Sequence, residues 1–392
     1  MRISDIQISR STGIVELSGK VNDFRLWYRF PEDYAIPARA DAFVAVALLP
    51  AMLAGEVLEV SPDLPVSGKL LENLPYLQEI YHCWNPVFRR IEVRANAADG
   101  SVANIGIGSF FSGGVDGTYT ALKHAEITHL VLINGFDLFL EPPVFAQAVE
   151  RNRSFAARLG KTLLTVQTNF LDFNAAFGVS RSISFGTCLA SVALGLAFRR
   201  AYVPSAGFTY AHLLPLGSHP LTDPLFSTEA TEIVHDGAEA SRNEKTKKIF
   251  DCDAVAQNLR VCWDDMNRNC GRCGKCLRTR MSLRALGISA PAFEELRSVH
   301  EIKSLTVDKW EELIFMEDSL RLAEQRGDRE LARVLRAAIR RHDFRRFAVE
   351  CDRLLLGGLL KAVKARFVKP ERLRPGPVPD PNYPAEPNRA NS

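Results

Sequence analysis

The sequence contains no hydrophobic run long enough to cross a membrane. Its longest apolar stretch, Ala42–Gly55, is short and contains Pro50, whereas a spanning helix needs about 20 consecutive apolar residues. The first residues, Met1–Asp5, also lack the apolar core of a secretory signal peptide. We therefore expect no membrane partner and predict a cytoplasmic location.

A strong excess of charge of one sign is also missing. The 392 residues include 49 Lys and Arg against 46 Asp and Glu, which gives a net charge of +3. So small an excess does not by itself indicate a nucleic-acid partner. A chain that is 46% hydrophobic and 24% charged is typical of globular proteins, and its length suffices for two or three domains.

The cysteines indicate neither a disulfide framework nor a glutaminase. Four of the eight are clustered at metal-ligand spacing, which favours a reducing compartment. Neither Cys83 nor Cys188 has a convincing catalytic base nearby in the sequence, so no glutaminase segment is evident. We expect any nitrogen donor to be free ammonia, an amine or a group delivered by a partner.

The chain is organised around a glycine-rich turn at Ser112–Thr118. An apolar run from Ile105 to Phe111 leads into this turn, and a helix-compatible segment from about Thr118 to Ala125 follows it. A helix N-terminus carries a partial positive charge and exposes backbone N–H groups, so it attracts anions. The turn therefore predicts a phosphate or pyrophosphate site.

Each residue type in the turn suits this chemistry. Gly113 and Gly114 let backbone N–H groups approach a ligand where a Cβ would block them. Ser112 and Thr118 add hydroxyl donors. Asp116 is unsuited to donate to phosphate, but its carboxylate suits a Mg²⁺ ion that bridges phosphate oxygens.

The stretch Ser112-Gly113-Gly114-Val115-Asp116-Gly117-Thr118 resembles the Ser-Gly-Gly-x-Asp-Ser/Thr loop of N-type ATP pyrophosphatases, and it matches neither GxxxxGK[ST] nor a dinucleotide fingerprint. Members of that superfamily cleave ATP between its α- and β-phosphates and adenylate an oxygen of the substrate. The resemblance implies ATP and Mg²⁺ as cofactors. The sequence departs from the pattern at Gly117, where Thr118 could supply the missing hydroxyl. A glycine turn without a ligand is the alternative.

From about residue 103, strand-like and helix-like segments alternate, which predicts a parallel sheet with helices on both faces. The predicted strands are Ile105–Phe111, His129–Asn134, Thr162–Val166 and one that begins at Ala201–Pro204, and the predicted helices are Pro143–Leu159 and Ser182–Phe198. Ligands of such sheets bind beyond the carboxyl ends of the strands. We therefore expect Asn134, Gly135, Phe136 and Asp137 to line one crevice with the turn. The resemblance implies an open, five-stranded, adenine-nucleotide α-hydrolase-like sheet.

Four regions are predicted along the chain. Residues 1–100 form an α+β region, 101–290 the ATP pyrophosphatase domain, 291–369 a helical region and 370–392 a disordered, proline-rich tail. The first region is expected to contain a hairpin of Ile14–Leu17 and Phe24–Phe30, helices at Ala40–Leu53 and Gly68–Tyr81, and a strand at Arg90–Ala95. The third is expected to contain helices at Val307–Ala323, Asp328–Arg341 and Asp343 to about Phe367.

Two further pairs of polar residues are candidates for chemistry. Arg242 and Lys245 fall near the start of a predicted helix, where cations are disfavoured unless they face an anion. They could clamp phosphates or a substrate carboxylate, so we assign them to catalysis with Asp116; a solvated helix face is the alternative. His219 and Asp223 lie in a turn-rich loop and form either an acid–base or metal-binding pair or simply a turn.

A cluster of four cysteines provides the second strong motif, at Cys262, Cys270, Cys273 and Cys276. Four thiolates complete a tetrahedral Zn²⁺ shell without an open position, and such a closed site is structural. The run Asn269-Cys270-Gly271-x-Cys273-x-x-Cys276 resembles the zinc-binding end of 7-cyano-7-deazaguanine synthases. An iron–sulfur cluster, as some tRNA-thiolating relatives carry, and redox-active or buried thiols are the alternatives.

The C-terminal helices are basic. Their arginines could bind RNA or an acidic protein, although a solvated face is the more usual role and no interleaved aromatic platform is evident in the sequence. The arginines in question are Arg333, Arg336, Arg340, Arg341, Arg345 and Arg346.

Taken together, the motifs predict an ATP-dependent adenylating enzyme that forms C–N bonds. A substrate carboxylate or amide oxygen would attack the α-phosphate, pyrophosphate would leave, and ammonia or an amine would then displace AMP. The family resemblance implies a 7-deazaguanine carboxylate, while the additional terminal regions allow a protein or RNA acceptor. A tRNA-thiolating enzyme and a non-catalytic, zinc-stabilised nucleotide-binding protein are the alternatives, and an oligomer is compatible with the sequence.

Overall fold

The computed structural model describes residues 1–98, 105–136, 141–262, 264–265, 268–304 and 310–356. These residues belong to two compact units. The first comprises Met1–Ala240 and Cys252–Arg260, and the second comprises Ser241–Asp251 and the described residues from Val261 onward. The predicted tail at 370–392 lies outside the described residues. No helix in the described part of the chain is long and apolar enough to cross a membrane.

The first unit is built on one mixed sheet, to which the described residues contribute ten strands. They are β1 (Arg2–Ser11), β2 (Ile14–Val21), β3 (Phe24–Pro31), β4 (Leu58–Val60), β5 (Val93–Arg94), β6 (Ile107–Phe110), β7 (His129–Asn134), β8 (Thr162–Thr168), β9 (Arg200–Pro204) and β10 (Glu232–Asp236). The α/β class is confirmed, but the parallel strands do not form a separate five-stranded sheet. The sheet is larger because the N-terminal strands join the same hydrogen-bonded ladder.

Five parallel strands form one side of this sheet, in the order β10-β9-β6-β7-β8. The chain proceeds outward from β6 through β7 to β8, and it then returns to the other side of β6 for β9 and β10. The strand order therefore reverses between β6 and β9. Open α/β sheets bind their ligands at this kind of switch point, beyond the carboxyl ends of the strands.

The N-terminal strands are attached to the parallel strands through β3, which pairs antiparallel with β8 at Tyr28 and Arg29. Asn169 follows β8 and strengthens this junction. Its Oδ1 accepts from the Trp27 N–H at 2.9 Å, and its Nδ2 donates to the Arg25 carbonyl at 2.9 Å. One amide side chain thus continues the ladder where β8 ends.

Helices cover the sheet of the first unit. They are α1 (Asp41–Ala54), α2 (Gly68–Trp84), α3 (Val115–Lys123), α4 (Pro142–Arg158), α5 (Phe170–Phe177), α6 (Arg181–Gly195) and, after α7 (Arg242–Ile249) of the second unit, α8 (Asp253–Asn258). The predicted helices at Ala40–Leu53 and Gly68–Tyr81 are confirmed. Almost every residue of α1 is buried, as expected for a helix that is apolar on all sides, and α1 packs on α6.

The second unit is helical in its described residues, with α7 (Arg242–Ile249), α9 (Gly274–Leu286), α10 (Trp310–Gln325) and α11 (Arg329–Leu356). Its core includes Leu277, Met281, Leu313 and Leu331. The helices predicted at Asp328–Arg341 and from Asp343 are one continuous helix, so the break expected at residue 342 is wrong. Neither glycine nor proline occurs between residues 329 and 356, and nothing therefore interrupts the backbone hydrogen bonds.

Candidate functional site

The glycine-rich turn lies at the switch point, where β6 ends. The Phe111 N–H donates to the Val131 carbonyl at 2.8 Å, which carries the β6–β7 ladder to the edge of the turn. Helix α3 then begins at Val115 with Gly114 as its N-cap, and no described side chain caps it. Because the first N–H groups of a helix have no intrahelical acceptor, α3 presents donors and a partial positive charge there.

Two distant segments lie against Gly113. Its φ of +79° favours glycine, and a Cβ at this position would lie only 2.7 Å from Oδ1 of Asn152, on α4. The Gly113 carbonyl accepts from the Arg260 N–H at 3.0 Å. Neither Asn152 nor Arg260 could be predicted, since no local pattern marks residues that lie about 40 and 150 positions away.

Gly117 has a packing reason for departing from the Ser/Thr pattern. A Cβ there would lie 3.0 Å from the Phe110 carbonyl oxygen and 3.3 Å from the Phe111 Cα. The first turn of α3 is therefore pressed against the end of β6. Thr118 is fully buried, whereas Ser112 is exposed. Of the two hydroxyl groups in the turn, only that of Ser112 belongs to an exposed residue.

The end of β7 lies beside the turn, as the parallel pairing of β6 with β7 requires. Asn134 is buried there, and Gly135 has a φ of +92°. A Cβ on Gly135 would lie 1.8 Å from the Thr168 carbonyl oxygen, so only glycine fits. Phe136 packs edge-on against Phe185. The fourth residue assigned to this segment, Asp137, lies outside the described residues.

Asp236, at the carboxyl end of β10, ties α3 to the sheet. Its carboxylate accepts from Thr120 Oγ1 at 2.7 Å, from Lys123 Nζ at 2.8 Å, and contacts His124 Nε2 at 2.9 Å. Burial alone raises the pKa of Asp236, but the hydrogen bonds from Lys123, His124 and Thr120 outweigh it and hold the pKa below its usual value. An ionised carboxylate therefore anchors the helix whose N-terminus forms the turn.

The residues assigned to catalysis are divided between the two units. Asp116 lies in the first turn of α3 in the first unit. Arg242 and Lys245 lie on α7 in the second unit, behind a capping box formed by Ser241 and Glu244. Lys245 is fully buried, which is rare for a lysine and requires compensation of its charge. Their joint role in one active site stays a prediction.

The side chains of His219 and Asp223 do not form the expected pair; the carboxylate of Asp223 contacts a different histidine ring. Asp223 accepts from the His219 backbone N–H at 3.2 Å, while the ring that contacts its carboxylate is His235, with Nδ1 2.8 Å from Oδ2. Ser218 Oγ donates to the same Oδ2 at 2.6 Å. Burial, and then the charge of His235, lower the pKa of His219 to about 4. The His219 ring is therefore neutral at pH 7.

The four predicted cysteines come together in the second unit and could hold one metal ion. The Sγ atoms of Cys262, Cys270, Cys273 and Cys276 all lie within 4.8 Å of one another. Cys262 and Cys273 are 3.8 Å apart, and Cys270 and Cys276 are 4.0 Å apart. Thiolates arranged tetrahedrally around one ion at a metal–sulfur distance of about 2.3 Å would be about 3.8 Å apart, so the observed spacing fits a single ion.

Backbone N–H groups stabilise negative charge on these sulfurs. Cys273 N–H donates to Cys270 Sγ at 3.3 Å, and Cys276 N–H donates to Cys273 Sγ at 3.4 Å. Burial alone raises the pKa of Cys270, but N–H donors from Arg272 and Cys273 overcome it and lower the pKa to about 7. Burial raises the pKa of Cys262 and Cys276, so the thiolate, which is the metal-binding form of cysteine, is favoured at Cys270 and disfavoured at those two positions.

Arg280 supports the cysteine loop from α9. Its guanidinium is buried and donates to the Gly271 carbonyl at 2.9 Å, the Glu294 carbonyl at 2.7 Å and the Glu301 carboxylate at 2.6 Å. This side chain therefore fixes the turn between Cys270 and Cys273.

A comparison of the chain with protein-family models, with curated proteins and with solved structures found no match. Function must therefore be inferred from the chemistry of the glycine-rich turn and of the cysteine cluster.

Proposed function

We propose that the chain is an ATP-dependent adenylating enzyme of the N-type ATP pyrophosphatase superfamily. One observation carries the proposal: the Gly113–Gly114 turn opens α3 at the point where the order of the parallel strands reverses. A helix N-terminus at such a switch point is a favourable place for phosphates. The Ser-Gly-Gly-x-Asp pattern in the same turn supports a triphosphate whose α-phosphorus reacts.

In this proposal, the turn holds the phosphates with backbone N–H groups and the Ser112 hydroxyl, and Asp116 would hold Mg²⁺. The ion, when bound, neutralises charge on the phosphate oxygens. Asn134, Gly135 and Phe136 would contact the nucleoside from the neighbouring strand. The role of Arg242 and Lys245 as positive charge for the phosphates or a substrate carboxylate stays an expectation from the sequence, since both residues lie in the second unit. These residues act by positioning and by electrostatics.

The reaction would proceed in two steps. An oxygen of the acceptor carboxylate attacks the α-phosphorus, the bond to the bridging oxygen breaks, and pyrophosphate leaves with the electron pair. Ammonia or an amine then attacks the carbonyl carbon of the acyl adenylate, loses a proton, and expels AMP to give an amide. A 7-deazaguanine carboxylate is the acceptor that the family resemblance suggests, and a protein or RNA acceptor is the alternative. The proposed location of the reaction is the cytoplasm.

We further propose that the metal of the cysteine cluster is Zn²⁺ and that its role is structural. All four Sγ atoms are close enough to share one ion, and a fourfold thiolate shell leaves no position for a substrate. An iron–sulfur cluster distributes its thiolates over several irons, which the short distances do not favour. Metal analysis of the purified protein distinguishes the two, because one zinc per chain is colourless.

The test is ATP–pyrophosphate exchange in the presence of candidate carboxylates, together with equilibrium binding of ATP and Mg²⁺. We expect Asp116→Asn to abolish exchange and the Mg²⁺-dependent part of ATP binding. Asp172→Asn is a matched control, because Asp172 also lies in the first turn of a helix of the first unit, α5. Failure of the unaltered chain to bind ATP would contradict the proposal, as would equal losses in both variants.

A further inference from the structure

The outer face of α11 carries a stripe of arginine and phenylalanine side chains. The inner face packs into the core of the second unit through Leu331 and Leu335, and Ala338 on the same side is also buried. Residues spaced three or four apart lie on one side of a helix. The outer stripe follows this spacing and consists of Arg333, Arg336, Arg340, Phe344 and Phe347.

Both phenylalanines of the stripe are exposed, Phe344 by 70% and Phe347 by 67%. Large apolar side chains are usually buried, so an exposed group of them marks an interaction surface. Arg340 and Arg341 precede this pair, and Arg345 and Arg346 lie within it. Of these arginines, Arg340 lies one turn before Phe344 on the same side of the helix, whereas Arg345 and Arg346 point to other sides. Because α11 continues through residue 342, both rings extend the side that carries the exposed arginines.

This part of the helix is strongly basic. Residues 333–346 contain six arginines and one aspartate, a net charge of +5 with the histidine neutral, in a chain whose net charge is only +3. At a rise of about 1.5 Å per residue the segment is about 20 Å long. Arg336 pairs with Glu324, while Arg333, Arg340 and Arg341 are exposed. Such a density of positive charge favours association with an anionic partner.

We propose that the stripe on residues 333–347 binds single-stranded nucleic acid, with the arginines on phosphates and the two phenylalanine rings stacked on bases. Positive charge along the backbone together with aromatic rings on which bases stack is the combination that binds single strands without sequence preference. An acidic peptide would pair with the arginines, but its charge gives no reason for two exposed rings at the end of the stripe. Leu354 and Leu355, which suit a protein or lipid partner better, lie beyond the basic segment.

The test uses the full chain and a fluorescein-labelled oligouridine, titrated at several salt concentrations. We expect a dissociation constant of about micromolar or below at low salt, rising with salt as counterions are released. Phe344→Ala with Phe347→Ala should weaken binding at least about fivefold. Tyr76→Ala is the matched control, because Tyr76 is an aromatic side chain exposed by 64% on another helix, and it should bind as the unaltered chain does.

The contribution of the arginines is measured by the salt dependence of the affinity. Replacing both Arg340 and Arg341 with alanine should make the slope of log affinity against log salt shallower by about 1.4, since each phosphate contact on a single strand contributes about 0.7. The phenylalanine variant should keep the original slope. This difference separates stacking from charge.

Three results would overturn the proposal. The first is no binding of the oligouridine at low salt. The second is a lack of preference for nucleic acid: polyglutamate or anionic vesicles bind as tightly as the oligouridine, and Phe344→Ala with Phe347→Ala leaves the affinity for the oligouridine unchanged. The third is self-association of the chain that the same variant abolishes without any oligouridine binding. The inference is independent of the proposed adenylation, because Asp116→Asn should leave oligouridine binding unchanged.

Discussion

Gly113→Ala tests how the anion-binding turn is built. The substitution introduces two separate costs. A non-glycine residue at a φ of +79° is strained by about 1–2 kcal/mol. In addition, the new Cβ would lie 2.7 Å from Asn152 Oδ1, and Asn152 is held by its own hydrogen bond from Nδ2 to the Ala148 carbonyl at 2.8 Å. Overpacking of this kind costs about 1–3 kcal/mol. We therefore expect the free energy of unfolding to fall by about 2–5 kcal/mol.

Gly160→Ala separates the two costs. Gly160 has a similar φ of +68°, but no atom lies within 4 Å of the position of its Cβ. This variant should lose only the strain of about 1–2 kcal/mol. Combining Gly113→Ala with Asn152→Ala should recover the collision energy but not the strain, as a double-mutant cycle measures.

Denaturant unfolding and ATP titration provide the two assays. If Gly113→Ala displaces even one N–H donor from a charged phosphate, ATP affinity should fall about tenfold to a hundredfold, whereas Gly160→Ala should bind ATP normally. Equal destabilisation by both variants, together with unchanged ATP affinity, would refute the account of the turn.

Three other predictions concern the framework of the two sites. Gly135→Ala should be the most damaging glycine replacement near the turn, because its Cβ would lie 1.8 Å from a backbone oxygen; a melting temperature close to that of the unaltered chain would contradict this. Asp236 has a lowered pKa in the folded chain, so its stabilisation is fully present above its usual pKa of about 4 and is lost as the pH falls through the folded value. Asp236→Asn should therefore lower stability at neutral pH and flatten the acid limb of the stability profile, and an unchanged acid limb would count against this anchor. A strong chelator should remove one metal ion per chain and lower the melting temperature, whereas Cys273→Ser, which lacks one ligand, should already show the lower value and respond little to the chelator.

Local patterns predicted the parts of the molecule that depend on neighbours in sequence. The strand at His129–Asn134 has the predicted bounds, because an apolar run followed by Gly135 defines both its burial and its end. The cysteines also converge as predicted, since short spacings and Gly271, with a φ of +74°, bring their thiolates together.

The remainder depends on contacts between distant segments. Nothing in the local sequence showed that β3 would pair with β8, because the junction relies on Asn169, more than 130 residues beyond β3. Strands β1 and β10 and helix α5 were not predicted from the sequence either. The same limit applies to the site, where Asn152 and Arg260 shape the turn from other parts of the first unit.

The C-terminal helices illustrate a different limit. The sequence His342-Asp343 resembled a helix boundary, yet His342 is buried within a continuous α11. A polar residue can either cap a helix or lie within it, and the packing of the helix determines which of the two occurs. Here α11 packs through Leu331 and Leu335 into the core of the second unit, which favours a continuous helix. The exposure of Phe344 and Phe347 follows from that continuity.

The most direct measurement of the central claim is a crystal structure of the chain with a non-hydrolysable ATP analogue and Mg²⁺. We predict that the phosphates lie on the backbone N–H groups of Gly113 and Gly114, at the start of α3, with the ion next to Asp116. A nucleotide bound elsewhere, or a turn that remains without phosphate at saturating ligand, would contradict the claim.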